Sequence, residues 1–212
     1  MSVQTLAAQE AQVGLSGEAG ELIEIRWHGR GGQGAKTAAL LMGEAAAGAG
    51  RYIQAFPEYG PERMGAPVVA YNRISMKPIS LHCSIENPRY VAVLDTTLAG
   101  QIDFTAGIPD GGVLIVNTGW TPAEARANLG VSNPTIRVFT VNAGVIAQET
   151  IGRPIPNTPM LGALNRVAGL LDLDSLLTSV RHKLELKFRG RPEIVDGNVE
   201  AVRRAYQEVQ GE

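Results

Sequence analysis

The stretch Trp27-His28-Gly29-Arg30-Gly31-Gly32-Gln33-Gly34-Ala35-Lys36-Thr37 joins an apolar run to an alanine-rich segment. It contains four glycines, and glycine both adopts positive φ angles and lets a ligand approach the backbone closely. The free N–H groups and positive dipole end of a following helix attract phosphate or carboxylate. The stretch therefore predicts a strand, a tight glycine loop and a helix, with an anion bound where the helix begins.

This glycine loop matches two known phosphate-binding motifs only in part. Its glycines satisfy the Gly-x-Gly-x-x-Gly spacing of dinucleotide-binding folds, but the acid expected to bind the ribose is missing, since the nearest one, Glu58, stands beyond Pro57. A Walker-type loop fits no better, because Ala35 intervenes before Lys36. A tight turn that only packs a helix on a sheet is the alternative interpretation.

Composition excludes several classes of function. The chain has 212 residues, with 19 basic and 21 acidic side chains, and a net charge of −2 gives no reason to expect a nucleic acid or an anionic membrane as partner. Cys83 is the only cysteine, so the chain alone forms neither a disulfide nor a cysteine-ligated iron–sulfur cluster. Because no apolar run approaches about 18 residues and no signal peptide is present, we expect a cytoplasmic protein.

Apolar runs alternate with helical patterns from residue 22 onward. This alternation predicts an α/β fold: a Rossmann-like, mainly parallel sheet with helices on both faces, in a single domain that ends in C-terminal helices. The predicted strands are 22–27, 52–56, 68–74, 90–94, 113–117 and 136–140. The predicted helices are 35–49, 121–128, 143–150, 158–168, 174–187 and 197–209.

Two segments lie outside this regular pattern. Residues 1–20 contain no Lys or Arg and are predicted to form an N-terminal extension, flexible or docked on a partner, while 21–212 form the domain. The loop 56–67 has three prolines and two glycines, a composition that stiffens it. We expect this loop to dock a partner or line a site, although it could be a solvated connector. The side chains that it would present are Tyr59, Pro61, Glu62 and Arg63.

Ligands of open α/β sheets bind beyond the carboxyl ends of the strands, so the residues that follow the strands are candidates for binding. Helix capping is the alternative role for each Asn among them. His28 could act as an acid or base beside an anion, or be a structural residue; we predict no catalytic residue and no metal ligand in this chain. The predicted binding residues are Gly29, Arg30, Gly31, Gly32, Gln33, Gly34, Lys36, Thr37, Asn117 and Asn142.

A local cluster of basic residues stands near the C-terminus. It could meet an acidic partner or a phosphate, and a solvated face is the alternative. Its members are Arg181, Lys183, Lys187, Arg189 and Arg191.

Three phrases of the sequence together resemble one known family. They are His28-Gly29-Arg30-Gly31-Gly32-Gln33-Gly34, Tyr59-Gly60-Pro61-Glu62-Arg63-Met64-Gly65-Ala66-Pro67 and Asn157-Thr158-Pro159-Met160-Leu161-Gly162-Ala163. In this order they resemble the gamma subunit of pyruvate:ferredoxin oxidoreductase and related 2-oxoacid:acceptor oxidoreductases. The resemblance extends from residue 22 to the end of the chain.

The resemblance implies a subunit of an enzyme complex. These enzymes oxidatively decarboxylate a 2-oxoacid, here expected to be pyruvate, on thiamine diphosphate, and pass electrons through iron–sulfur clusters to ferredoxin with formation of an acyl-coenzyme A. Thiamine diphosphate, Mg and the 4Fe-4S clusters are then expected in alpha, beta and ferredoxin-like delta subunits, and coenzyme A (CoA) at or near this chain. The chain itself would be a non-redox subunit for CoA binding and assembly. The alternatives are an independent nucleotide-binding protein and a purely structural assembly subunit.

Overall fold

A computed structural model describes residues 22–58 and 65–212, so the predicted extension 1–20 lies outside the described residues. The strands are β1 (Ile23–Arg30), β2 (Tyr52–Glu58), β3 (Pro67–Ser75), β4 (Tyr90–Val93), β5 (Val113–Asn117), β6 (Arg137–Val141) and β7 (Gln210–Gly211). The helices are α1 (Ala35–Gly48), α2 (Pro122–Asn128), α3 (Ala143–Ile151), α4 (Asn157–Ala168), α5 (Leu173–Lys187) and α6 (Pro192–Glu208), with a 3₁₀ turn at Thr96–Leu98.

The strands form one sheet in the order β2-β3-β1-β4-β5-β6-β7. The four strands β1, β4, β5 and β6 run parallel, as the alternation of strands and helices predicted. The sheet is nevertheless mixed, because β3 pairs antiparallel with both β1 and β2, and β7 pairs antiparallel with β6. The chain therefore passes from β1 through α1 to β2 at the edge of the sheet, and β3 then lies between β2 and β1.

The α/β prediction is confirmed, and two element boundaries differ from the predicted ones by three residues or more. β1 continues to Arg30 instead of ending at Trp27, because β3 extends the antiparallel pairing as far as the Arg30–Pro67 pair. Three residues of the predicted loop therefore belong to the strand. α6 begins at Pro192 instead of residue 197, since proline suits the first turn of a helix, where its missing N–H costs nothing.

Two apolar cores lie on opposite faces of the sheet. The larger one packs α1, α3, α4, α5 and α6 against one face, and the smaller one packs α2 and the segment 98–108 against the other. α4 is buried beneath α6, and Gly162 permits this close crossing, because a Cβ there would overlap the carbonyl group of Val202. Within the described part of the chain, no helix combines the length and the apolar character that crossing a membrane requires.

Candidate functional site

The glycine loop lies between the end of β1 and the first turn of α1. Gly32 has φ 98° and Gly34 has φ 84°, so both positions need the conformational freedom of glycine. Gly34 precedes the helix as its N-cap and makes no side-chain cap. The backbone N–H groups of Gly32, Gly34 and Ala35 have no hydrogen-bond partner among the described residues. The loop therefore offers free donors at the positive end of a 14-residue helix, as an anion site requires.

Two predicted binding residues, Arg30 and Gln33, make contacts that hold the loop in place. The N–H of Arg30 donates to Oε1 of Gln33 at 2.7 Å, and the N–H of Gln33 donates to the carbonyl of Arg30 at 3.0 Å. Their side chains converge on Asp95, which follows β4: Nε2 of Gln33 lies 2.6 Å and Nε of Arg30 lies 3.2 Å from Oδ2. Both side chains therefore join the loop to the neighbouring strand.

Asn157, the first residue of α4, packs against the other side of the loop. A Cβ on Gly34 would stand only 2.7 Å from Nδ2 of Asn157, so the two segments meet without room for a methyl group. The two phrases that begin at His28 and Asn157 are thus in contact in the fold, although more than a hundred residues separate them.

A cavity of about 420 Å³ opens beside the loop, between α1, the start of α4 and the connection from α5 to α6. We call it the loop cavity. Gly32, Gly34 and Thr37 line it from the loop and α1, and the side chains of Leu184, Phe188 and Ile194 form an apolar part of its wall. Its basic lining residues are Arg153, Lys187 and Arg191.

The loop cavity has an excess of positive charge. Its described lining contains three basic side chains and no carboxylate. Elsewhere on α5, basic side chains are neutralised, since Lys183 Nζ lies 2.6 Å from Glu44 and Arg181 Nη1 lies 2.7 Å from Asp196. Unpaired cations and free backbone donors around one cavity favour a multiply charged anion as ligand.

Other predicted binding residues do not line this cavity. Asn117 donates from Nδ2 to the carbonyl of Leu94 at 2.9 Å and accepts from the N–H of Gly144 at 3.0 Å. Asn142 caps α3 by accepting from the N–H of Val145 at 3.3 Å. In both places the structure supplies a stabilising contact of the kind that the capping alternative describes.

The remaining predicted residues fall in three groups. Gly29 lies within β1, and the N–H of Gly31 donates to the carbonyl of Ala66 at 2.9 Å. Lys36 is exposed on α1 and is absent from the lining of the loop cavity. The residues of the proline-rich loop, Tyr59, Pro61, Glu62 and Arg63, lie outside the described residues.

His28 is buried on the sheet face opposite α1, where its ring lies 5.4 Å from that of Phe104. Neither ring nitrogen has a hydrogen-bond partner among the described residues. Burial, and to a lesser degree the charge of Arg26, lower the pKa of His28 to about 3. The imidazole is therefore neutral near pH 7, and the imidazolium form that could act as a general acid is not populated there.

Sequence reasoning missed part of the cavity lining. Lys187 and Arg191 belong to the basic cluster near the C-terminus, but nothing in the sequence distinguishes them from its other members. Arg153 lies in the turn after α3, where one Arg between Gly152 and Pro154 carries no local signal of function. In the described part of the chain, no group of three or more His, Cys, Asp or Glu side chains is arranged to hold a metal ion.

Comparison with known proteins gives one consistent family. The family model for pyruvate ferredoxin/flavodoxin oxidoreductase matches residues 24–208. Pyruvate synthase subunit PorC of Thermotoga maritima is 44% identical over 187 residues, which cover 88% of this chain and 94% of that protein. The common gamma subunit of the pyruvate/ketoisovalerate oxidoreductases of Pyrococcus abyssi is 43% identical over 189 residues, 89% of this chain and 98% of the relative.

Solved structures agree with these sequence relatives. The crystal structure of pyruvate oxidoreductase subunit PORC from Thermotoga maritima superposes with a TM-score of 0.77 at 42% identity, covering 91% of this chain and 99% of that one. A 2-oxoglutarate:ferredoxin oxidoreductase from Magnetococcus marinus, solved with 2-oxoglutarate, coenzyme A and succinyl-CoA bound, shares the fold with a TM-score of 0.70 at 19% identity. That match covers 88% of this chain and 31% of the longer chain.

Proposed function

Because this chain belongs to the pyruvate ferredoxin/flavodoxin oxidoreductase family as a gamma subunit, we propose that it binds the nucleotide part of CoA in the loop cavity. In this role it presents CoA to an acyl group that is formed in another subunit. The chain carries no redox group of its own in this proposal, in keeping with its single cysteine. Pyruvate is the proposed 2-oxoacid, in line with the pyruvate synthase subunits that the chain resembles.

The observation that carries this proposal is the combination of free backbone donors and unpaired cations around one cavity. The N–H groups of Gly32 and Gly34 suit the diphosphate of CoA, since each is free to donate to an anionic oxygen at the positive end of α1. The apolar wall at Leu184, Phe188 and Ile194 suits a nucleoside. The Magnetococcus marinus enzyme, in which 31% of the chain shares this fold, was solved with CoA bound, and this further supports CoA as the proposed ligand.

The partners in this proposal are alpha, beta and ferredoxin-like delta subunits. They would hold thiamine diphosphate, Mg and the 4Fe-4S clusters, and the complex would deliver electrons to ferredoxin in the cytoplasm. We also propose that the loop with Tyr59, Pro61, Glu62 and Arg63 contributes to docking these subunits, because a proline-rich loop presents its side chains at little entropic cost. No nucleic acid or membrane takes part.

An independent dinucleotide-binding enzyme is the less favoured alternative. Such folds place the ribose-binding acid at the end of a strand beside β1, but here β3 separates β2 from β1. Glu58, at the end of β2, accepts a 2.6 Å hydrogen bond from the hydroxyl of Tyr71. The acid nearest in sequence is therefore both displaced from the glycine loop and already hydrogen-bonded.

The test is a Gly32→Asp variant in the purified multisubunit complex. No atom lies within 4 Å of a Cβ at Gly32, so the substitution adds a negative charge to the proposed anion site without a clash with neighbouring atoms, although the positive φ of 98° strains the backbone of any residue other than glycine. Gly50→Asp is the matched control, because Gly50 also has a positive φ, of 77°, and no atom within 4 Å of an added Cβ. We expect the KM for CoA to rise about tenfold or more in Gly32→Asp alone, with the KM for the 2-oxoacid unchanged. An unchanged KM for CoA would refute the proposal and favour a purely structural subunit.

A further inference from the structure

The three cations of the loop cavity come from three different places in the chain. Arg153 follows α3, Lys187 ends α5, and Arg191 precedes α6. Within the described residues, neither Arg153 nor Arg191 has a side-chain hydrogen bond or an ion pair, and Lys187 contacts only the ring of Phe188, at 5.3 Å. All three side chains are exposed and line the same cavity, so a multiply charged anion in that cavity has three cations available to neutralise it.

We propose that Arg153, Lys187 and Arg191 form a second phosphate subsite, which recognises the 3′-phosphomonoester on the ribose of CoA and so selects CoA over nucleotides that carry only a diphosphate. This inference rests on the proposed function, because it assigns the diphosphate to the glycine loop and the separate phosphate to the cations. In this inference the three side chains determine specificity for CoA and take no part in the chemical reaction.

The different charges of the 3′-phosphomonoester and the diphosphate support the assignment of each to a different part of the cavity. A phosphomonoester carries a charge of about −1.5 to −2 near pH 7, concentrated on three oxygens, and full cations with several N–H donors bind it best. Each phosphate of a diphosphate carries about one negative charge, which backbone N–H groups and a helix dipole of about half a unit charge can offset. The guanidinium groups of Arg153 and Arg191 can each bind two phosphate oxygens at once.

The size and composition of the cavity are consistent with the nucleotide end of CoA. A volume of about 420 Å³ lies in the lower part of the range of small-molecule sites, which is roughly 300 to 1,000 Å³. The apolar side chains of Leu184 and Ile194 line the same cavity as the cations and Gly32, so a nucleoside has apolar surface within reach of both phosphate-binding groups.

The experiment compares CoA with dephospho-CoA, which lacks only the 3′-phosphate, by calorimetric binding to the purified complex. The variant is Arg153→Gln/Arg191→Gln, because neither side chain makes a hydrogen bond or an ion pair among the described residues. Arg51→Gln/Arg189→Gln is the control: it removes the same charge from a half-buried and an exposed position outside the cavity lining, and neither side chain has a hydrogen bond or an ion pair among the described residues. Gly32→Asp is measured in parallel.

We expect the wild-type complex to bind CoA more tightly than dephospho-CoA, and the cavity variant to lose about tenfold or more in CoA affinity with less than about twofold change for dephospho-CoA. The control should keep the wild-type preference. An equal loss of affinity for CoA and dephospho-CoA would overturn the inference, because the cations would then act on the diphosphate. An unchanged affinity for both nucleotides would overturn it as well. Undiminished CoA affinity in Gly32→Asp would instead refute the proposed function. Failure of the proposed function can therefore be distinguished from failure of the present inference.

Discussion

The side chain of Gln33 donates a 2.6 Å hydrogen bond from Nε2 to Oδ2 of Asp95 and so joins the glycine loop to the residue after β4. Burial alone would raise the pKa of Asp95, but hydrogen bonds from Thr97 and Gln33, together with the charge of Arg30, outweigh burial and lower it. The contact forms because β1 and β4 are parallel neighbours whose carboxyl ends lie side by side. The loop is therefore positioned by the sheet as well as by its glycines.

Asp95→Asn should destabilise the chain and loosen the loop. The variant keeps the side-chain shape but loses the charge that faces Arg30 and one acceptor, so we expect a loss of about 1–2 kcal/mol in the free energy of unfolding in urea. In the assembled complex, the same variant should raise the KM for CoA severalfold, because the loop is less well positioned.

Asp103→Asn is the matched control for this effect. Asp103 accepts hydrogen bonds from the N–H and hydroxyl of Thr105 at 2.8 and 2.7 Å, and Asp95 accepts the same pair from Thr97 at 2.9 and 2.7 Å. Asp103 has no contact with the glycine loop. A rise in the KM for CoA of equal size in both variants would show that Asp95 has no special role in positioning the loop.

Gly34→Ala should cost more than backbone strain alone. Strain at a positive φ costs about 1–2 kcal/mol for alanine, and here the added methyl group also meets Asn157, at 2.7 Å from Nδ2. Gly50→Ala has a similar φ, 77°, and no neighbour within 4 Å, so it measures the strain without the clash. We expect Gly34→Ala to be less stable than Gly50→Ala by at least about 1 kcal/mol in denaturant unfolding. Equal values would mean that α4 moves away at no cost.

Gly162→Ala should disrupt the crossing of α4 and α6. Its methyl group would overlap the backbone of Val202, which cannot rotate away as a side chain can, so we expect a loss of about 3 kcal/mol or more in unfolding free energy. Gly144→Ala in α3 is the control, since its nearest neighbour, the Asn117 amide, lies 3.9 Å away. That variant should stay within about 0.5 kcal/mol of wild type, or gain stability from higher helix propensity.

His28 should make the chain less stable as the pH falls from about 6.5 towards 3. In the folded state its pKa is about 3, because of burial and then Arg26, whereas an unfolded histidine titrates near 6.5. Below about pH 6.5 the unfolded chain binds a proton that the folded chain does not, so this contribution to stability is lost as pH decreases. At 1.36 kcal/mol for each pH unit, the loss amounts to up to roughly 5 kcal/mol.

A His28→Leu variant tests this linkage. Neither ring nitrogen has a hydrogen-bond partner among the described residues, so an apolar replacement breaks no such bond there. The difference in unfolding free energy between the variant and wild type should shift in favour of the variant as the pH falls from 6.5 to 4. The control is His182→Leu, which removes an exposed histidine from α5. A difference that is constant with pH would contradict the buried, neutral state of His28.

Most element positions were predictable because their signals are local. The alternation of apolar runs with helical patterns placed all six helices and β1 to β6, with β1 ending three residues too early and α6 starting five residues too late. Antiparallel pairing with β3 extends β1, and such pairing depends on a distant segment. β7 was not predicted, since its two residues carry no strand pattern and pair only because α6 returns the chain to β6.

The candidate site was predictable only where a single segment forms it. The glycine loop was recognised because positive φ at Gly32 and Gly34 requires glycine whatever the rest of the chain does. The contacts of Arg30 and Gln33 with Asp95 were not predicted, because nothing in the sequence shows that these side chains bind each other as well as being available to a ligand. Arg153 could not be identified from the sequence, because it reaches the cavity only through the packing of helices that are far apart in the chain.

The sequence by itself therefore determined the α/β class, the order of the elements, the glycine-dependent turn before α1 and the resemblance to a gamma subunit, since each is encoded within short runs of residues. Only the tertiary structure decided the strand order, the contact between Gly34 and Asn157, and the convergence of Arg153, Lys187 and Arg191 on one cavity. These depend on which arrangement of helices buries the apolar faces most completely, and that choice involves the whole chain at once.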